Sequence, residues 1–153
     1  MKIYLAGSDV FAYDAAERGE RMKQLCRMYD MEGLYPLDQV CRTAEEIFEA
    51  NTALIRACDA VAANINPFRG NEPDSGTAFE IGYAYAMGKR IFCYADDMRS
   101  LREKLGAEDT DGYMVEDFDL PFNLMIAVPA RLVRGDFEDC IRAIRRESDK
   151  VEL

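Results

Sequence analysis

Apolar residues enter this chain in two alternating rhythms: short continuous runs, and longer stretches where they recur three and four positions apart. Lys2 to Ala6 is a run of the first kind and predicts a strand, followed by a loop at Gly7. Asp14 to Glu32 places Met22, Leu25, Cys26 and Tyr29 on one helical face, and Gly33 is expected to end that helix. A brief strand over Leu34 to Pro36 then leads through a loop to Thr43. With Glu46 following it, Thr43 reads as the start of a capping box that opens a helix over Ala44 to Arg56. Cys58 to Ile65 is nearly all apolar, the pattern of a strand covered on both faces as in parallel sheets.

Ser75 to Met87 is expected to be helical and to stop at Gly88, with a fourth strand over Arg90 to Tyr94. Beyond it the rhythm is less regular. Met98 to Leu105 reads as helix, Thr110 to Asp119 as an acidic loop, and Phe122 to Val128 as a short helix. Arg131 to Val133 gives a fifth strand and Phe137 to Arg146 a closing helix, with Glu147 to Leu153 as a polar tail prone to fray. The strand–helix alternation predicts an α/β fold with a doubly wound, mostly parallel five-stranded sheet and helices on both faces. In such sheets ligands bind in the crevice beyond the carboxyl ends of the strands. The Gly7 loop and the loop from Asn66 to Asp74 should both lie there.

Composition narrows the picture. The 153 residues, 49% of them hydrophobic, suit one domain spanning 1–153. With 19 basic against 29 acidic residues and a net charge of -10, the chain is a poor partner for nucleic acid or an anionic membrane, and a small neutral or cationic ligand fits better. No apolar run is long enough to span a bilayer, and MKIYLAGSDV lacks the apolar core of a signal peptide, so a cytoplasmic location is expected. The five cysteines, Cys26, Cys41, Cys58, Cys93 and Cys140, are odd in number and widely spaced, and read as reduced packing residues. Histidine is absent from the chain. That excludes Ser-His-Asp and Cys-His catalysis and leaves carboxylates, Tyr and Lys for acid–base work.

The chemistry then concentrates between Asn66 and Gly88, where Asp74 and Glu80 bracket a strand–loop–helix junction with Gly76 and Thr77 between them. Two carboxylates sharing a cleft can divide nucleophilic attack from proton handling. Asp74 fits an N-cap equally well, and Glu80 a solvated turn. Against that, Phe79 and Ile81 flank Glu80, and Gly76 and Gly82 thin the backbone on either side, as close approach of a ligand would require. The expected division is an ionised Glu80 favoured by its helix N-terminus beside a desolvated, proton-holding Asp74. Tyr4 reads as core, or as a hydroxyl that orients Glu80. Ser8 and Asp9 fit a turn, and Arg69 and Gly70 a loop tip. Neither G-x-G-x-x-G nor G-x-x-x-x-G-K-[ST] occurs. The acidic patches at Asp96, Asp97 and Glu108 to Asp119 read as solvated surface, not a metal site.

Four segments, taken together in this order, carry a resemblance. IYLAGSDVF at Ile3 to Phe11, a helix with Asn51 ahead of CDAVAANINPF, EPDSGTAFEIGYAYAMGK at Glu72 to Lys89, and LPFNLM at Leu120 to Met125 look like the nucleoside 2-deoxyribosyltransferase family. The resemblance implies a flavodoxin-like sheet and exchange of the base on 2-deoxynucleosides, with neither metal nor organic cofactor. It implies that Glu80 is the nucleophile, that Asp74 contacts the sugar or protonates the leaving base, and that Tyr4 orients Glu80. Substrate contacts are implied for Gly7, Ser8, Phe11 and Gly76, with Asn51 at the base. The segment matching Asn123 and Met125 is implied to enter the site of a neighbouring subunit, making a homo-oligomer a catalytic requirement.

Departure of a base from C1' builds oxocarbenium character that an adjacent carboxylate stabilises and then traps; a second base or water completes the reaction. Because Asn51 is an amide and donates no catalytic proton, protonation of the base falls to Asp74 or water. One alternative is an N-glycosidase acting on 2-deoxynucleoside 5'-monophosphates, with Ser8, Ser75 and Arg69 as phosphate donors. Another is a non-catalytic flavodoxin-like binding module. A receiver domain would carry an acceptor Asp at the end of its third strand, where this chain has Asn66-Pro67, and a flavin site would need a phosphate-cradling loop that GSDVFAYDA lacks.

Overall fold

The computed structural model describes residues 1–151. Its strands are β1 (Lys2–Ala6), β2 (Glu32–Leu34), β3 (Ala60–Asn64), β4 (Arg90–Ala95) and β5 (Arg131–Arg134). Its α-helices are α1 (Ala15–Met28), α2 (Ala44–Ala57), α3 (Ser75–Ala86), α4 (Leu101–Leu105), α5 (Leu124–Ala127) and α6 (Phe137–Val151). The strands form one five-stranded sheet in the order β2-β1-β3-β4-β5, every pair parallel. This is the doubly wound α/β architecture that the alternation predicts.

Strand alternation divides the core into two layers. Tyr4, Ala6, Val61 and Ala63 face one side and pack with Ile55 of α2, Ile81 and Ala84 of α3, and Ile126 of α5. Ile3, Leu5, Ala60 and Ala62 face the other, against Met22 and Cys26 of α1 and Cys140, Ile141 and Ile144 of α6. Tyr4 and α3 therefore share a layer. The chain leaves β1 towards β2 on one side and returns to β3 on the other, so the loops after β1 and β3 part at a topological switch point.

Several expected boundaries move. Helix α1 ends at Met28, not Glu32, because Asp30 at φ 57 closes it: Asp30 N–H donates to Arg27 O and Met31 N–H to Cys26 O. Gly33 does not end that helix but lies in β2, where an added Cβ would stand 3.1 Å from Leu5 Cδ1 and 3.2 Å from Cys26 Sγ. The strand expected at Leu34 to Pro36 consequently runs Glu32–Leu34. The capping box at Thr43 and Glu46 and the stop at Gly88 (φ 66) are both present. Helix α4 begins only at Leu101, where Ser100 and Glu103 form a second capping box. Helix α6 continues through most of the expected tail, held by the Arg145–Asp149 ion pair and by Ser148 Oγ donating to Ile144 O. The final two positions of that tail lie outside the described residues.

Candidate active site

The switch-point crevice is built first by backbone. Gly7 follows β1 at φ 153, and a Cβ there would lie 2.7 Å from Asn64 Cβ at the end of β3. The two loops can approach this closely because Gly7 has no side chain. A 3-10 turn over Ser8–Phe11 follows, in which Asp9 accepts from Asn64 Nδ2 at 2.8 Å and pairs with Arg18 at 3.2 Å. Asp9 thus ties the first loop to β3 and α1.

Into this crevice α3 delivers Glu80. The Tyr4 hydroxyl, wholly buried on β1, donates to Glu80 Oε1 at 2.5 Å. Burial raises the Glu80 carboxyl to about 7, the Tyr4 hydrogen bond opposes the rise, and the Asp74 charge adds to it. Burial and the Glu80 charge push the Tyr4 phenol far above its ordinary value, so it stays a donor. Asp74 is the N-cap of α3: its Oδ2 accepts from Thr77 N–H at 2.9 Å and Thr77 Oγ1 at 3.2 Å. The expected division of environments is corrected here. Glu80 sits beyond the first turn of α3 and is itself the desolvated carboxylate, while Asp74 fulfils the cap role.

Glu80 and Asp74 open into a cavity of about 330 Å³ lined also by Gly7, Phe11, Asn51, Gly76 and Thr77. A second, more apolar cavity of about 300 Å³ adjoins it through Ile47, Asn51, Gly76 and Glu80, and is walled by Phe48 and Phe79. Asn51 Oδ1 is buried without a hydrogen-bond partner among the described residues. A buried acceptor of this kind awaits a donor, and an N–H on a ligand would supply one. The roomier groove of about 590 Å³ alongside reaches Asp74 and Ser75 but not Glu80.

Not every expected residue reaches the cavity. Ser8 does not line it, and neither do Asn123 and Met125. Asn123 caps α5, its Oδ1 accepting from Met125 N–H at 3.0 Å while its Nδ2 donates to Glu116 Oε1 at 2.5 Å; Met125 is 73% exposed. Glu116 therefore departs from the solvated-surface reading of the acidic loop. Cys26, Cys58, Cys93 and Cys140 are buried packing residues, whereas Cys41 is half-buried and lines the cavity. Gln39 and Leu37, which line it too, were missed by motif reading. They follow β2, the neighbour of β1, so topology alone would have brought their loop to the crevice. Among the described residues no group of three or more His, Cys, Asp or Glu is arranged to hold a metal ion.

Comparison with known proteins finds relatives in sequence and in fold. An uncharacterized protein of Schizosaccharomyces pombe is 32% identical over 113 residues, covering 67% of this chain and 54% of its own length. The chain thus spans about half the length of that relative. A 2-desoxiribosyltransferase from Leishmania mexicana is 40% identical with a TM-score of 0.87, covering 95% of this chain and 97% of its own. A CMP N-glycosidase from Clostridium botulinum shares the fold alone, at 16% identity and TM-score 0.54 over 98% of this chain and 99% of its own. The family model for nucleoside 2-deoxyribosyltransferase matches residues 3–125, a span that holds Tyr4, Asp74 and Glu80, and the chain belongs to that family.

Proposed function

We propose that this protein exchanges the base of 2-deoxynucleosides through a covalent deoxyribosyl ester on Glu80. The carboxylate attacks C1', the bond from C1' to the base nitrogen breaks, and its electron pair leaves with the base, which takes a proton from Asp74 or from water. A second base then attacks C1' and gives up its N–H proton to Asp74 or to water, the ester bond breaks, and Glu80 is released as carboxylate. The observation that carries this reading is the desolvated Glu80, oriented by the Tyr4 hydroxyl at the wall of a nucleoside-sized cavity. Asn51 and its unpartnered oxygen suit contact with the base, and Gly7, Phe11 and Gly76 suit the walls around it.

Among the described residues no lysine or arginine lines the cavity, which favours a free nucleoside over a 5'-monophosphate. The exposed Met125 and Val128 on the α5 segment fit delivery to a neighbouring copy, so the working enzyme in this reading is a homo-oligomer with shared sites. Five free cysteines suit a reducing, cytoplasmic compartment. The test incubates the protein with 2-deoxyinosine and adenine, with Glu80→Ala in parallel. Formation of 2-deoxyadenosine by the parent and not the variant supports the proposal. Release of hypoxanthine without the new nucleoside makes the enzyme a hydrolase, and no turnover of any purine or pyrimidine donor overturns the reading.

A further inference from the structure

Asp30, Arg69 and Asp119 hold positive φ without being glycine. Aspartate tolerates this region because its short side chain bonds to the local backbone, whereas an arginine there bears the steric cost of its Cβ without that return. Arg69 stands at φ 54, immediately before Gly70 at φ 154, in the loop after β3. Strain of this kind persists where the surroundings over-determine it, and the side chain shows what does so here.

The Arg69 guanidinium lies 4.6 Å from the ring centroid of Phe68 and 5.3 Å from that of Phe11. The two rings stack with centroids 5.3 Å apart and 13° between their planes. Phe68 and Arg69 belong to the loop after β3, Phe11 to the turn after β1, and Phe11 lines the Glu80 cavity. The stack thus bridges the two loops that part at the switch point, on the side of the crevice where Phe11 forms its wall. Phe11 is 56% exposed, so little else packs it in place.

We infer that Arg69 is a positioning residue that clamps Phe11 against Phe68 and so fixes the aromatic wall of the nucleoside cavity. The inference rests on the reading of that cavity as the nucleoside site. Arginine suits the task because a flat guanidinium can lie against both rings, which a lysine ammonium cannot reproduce. With the clamp gone, Phe11 gains rotamer freedom that the substrate must remove on binding, and the cost falls on affinity rather than on the chemical step.

The test pairs Arg69→Gly with Arg69→Lys. Glycine accepts the left-handed backbone, so Arg69→Gly should keep or raise Tm while raising KM for the nucleoside about three- to tenfold, with kcat within about twofold. Arg69→Lys should show the same KM rise. Unchanged KM in both variants, or a joint fall of Tm and kcat in Arg69→Gly, overturns the inference. The chain has no tryptophan, so Phe11→Trp supplies a single indole, excited selectively over the 8 tyrosines, whose response does not depend on turnover. Adding Arg69→Gly to that background should lower the anisotropy of the indole and shift its emission to the red; no change sinks the clamp. A parent protein that turns over no nucleoside defeats the proposed function, while the indole signal still decides the clamp.

Discussion

Tyr4 and Glu80 stand 76 positions apart in the chain and meet at 2.5 Å, phenol donating to carboxylate, in the layer between the sheet and α3. The contact holds down the pKa that burial raises. In the proposed reaction Glu80 attacks as the ionised form, so kcat/KM should fall as pH drops below about 7. Tyr4→Phe removes the opposing hydrogen bond and should move this acid limb to higher pH, with a loss of roughly ten- to a hundredfold in rate at neutral pH. A pH–rate profile of both proteins decides it; an unmoved limb would separate Tyr4 from the ionisation of Glu80.

The same burial bears on stability, with the opposite sense to the usual carboxylate. Because the folded-state pKa of Glu80 is raised from 4.5 to about 7, its contribution is fully present below 4.5 and is lost as pH climbs through about 7. Glu80→Gln keeps an acceptor for Tyr4 and removes the buried charge. It should stabilise the protein at pH 8 by about 1–3 kcal/mol and flatten that decline, as read by urea melts across the window. It should also abolish exchange.

Asp74 combines a structural and a proposed chemical task that two substitutions separate. Asp74→Ala removes the acceptor for Thr77 and should destabilise by about 1 kcal/mol. Asp74→Asn retains a cap oxygen and should melt near the parent temperature, yet lose turnover if the carboxyl protonates the leaving base. Donors whose bases leave readily without protonation should depend least on the carboxyl and so suffer least in Asp74→Asn, a comparison that steady-state assays across several bases would settle.

The proposed sharing of the site between copies predicts complementation. In that reading a Glu80→Ala protein lacks the proposed nucleophile and an Asn123→Ala, Met125→Ala protein lacks the segment proposed to be delivered, so each alone should be nearly inactive. Mixing them in equal amounts under conditions that allow subunits to exchange should restore activity towards about a quarter of the parent's, because random pairing joins an intact Glu80 to an intact segment at about one site in four. Persistently dead mixtures that chromatography shows to be hetero-oligomers would remove the shared-site element.

Much of this was legible in the residues themselves. The apolar run over Cys58 to Ile65 marked a doubly covered strand, and the capping box at Thr43 and Glu46 opened α2 at its true start. Asp74, Glu80 and Tyr4 were legible as an associated set, and the fold brings them together. What local pattern could not give was environment. The desolvation of Glu80 arises from packing across the layer, and Gln39 and Cys41 enter the cavity through strand order. Gly33 misled because a glycine that admits a helix against a strand looks, in one dimension, like a glycine that ends the helix.

The sequence separation of Tyr4 and Glu80 has a kinetic corollary. Their contact requires β1, β3 and α3 to have docked, and no local segment can form it in advance. Helical signal should therefore return early on refolding, while the proposed capacity to form a glycosyl ester returns only once β1, β3 and α3 have closed on one another. Reactivity of Glu80 would serve as a clock for that closure, running behind the local helical signal.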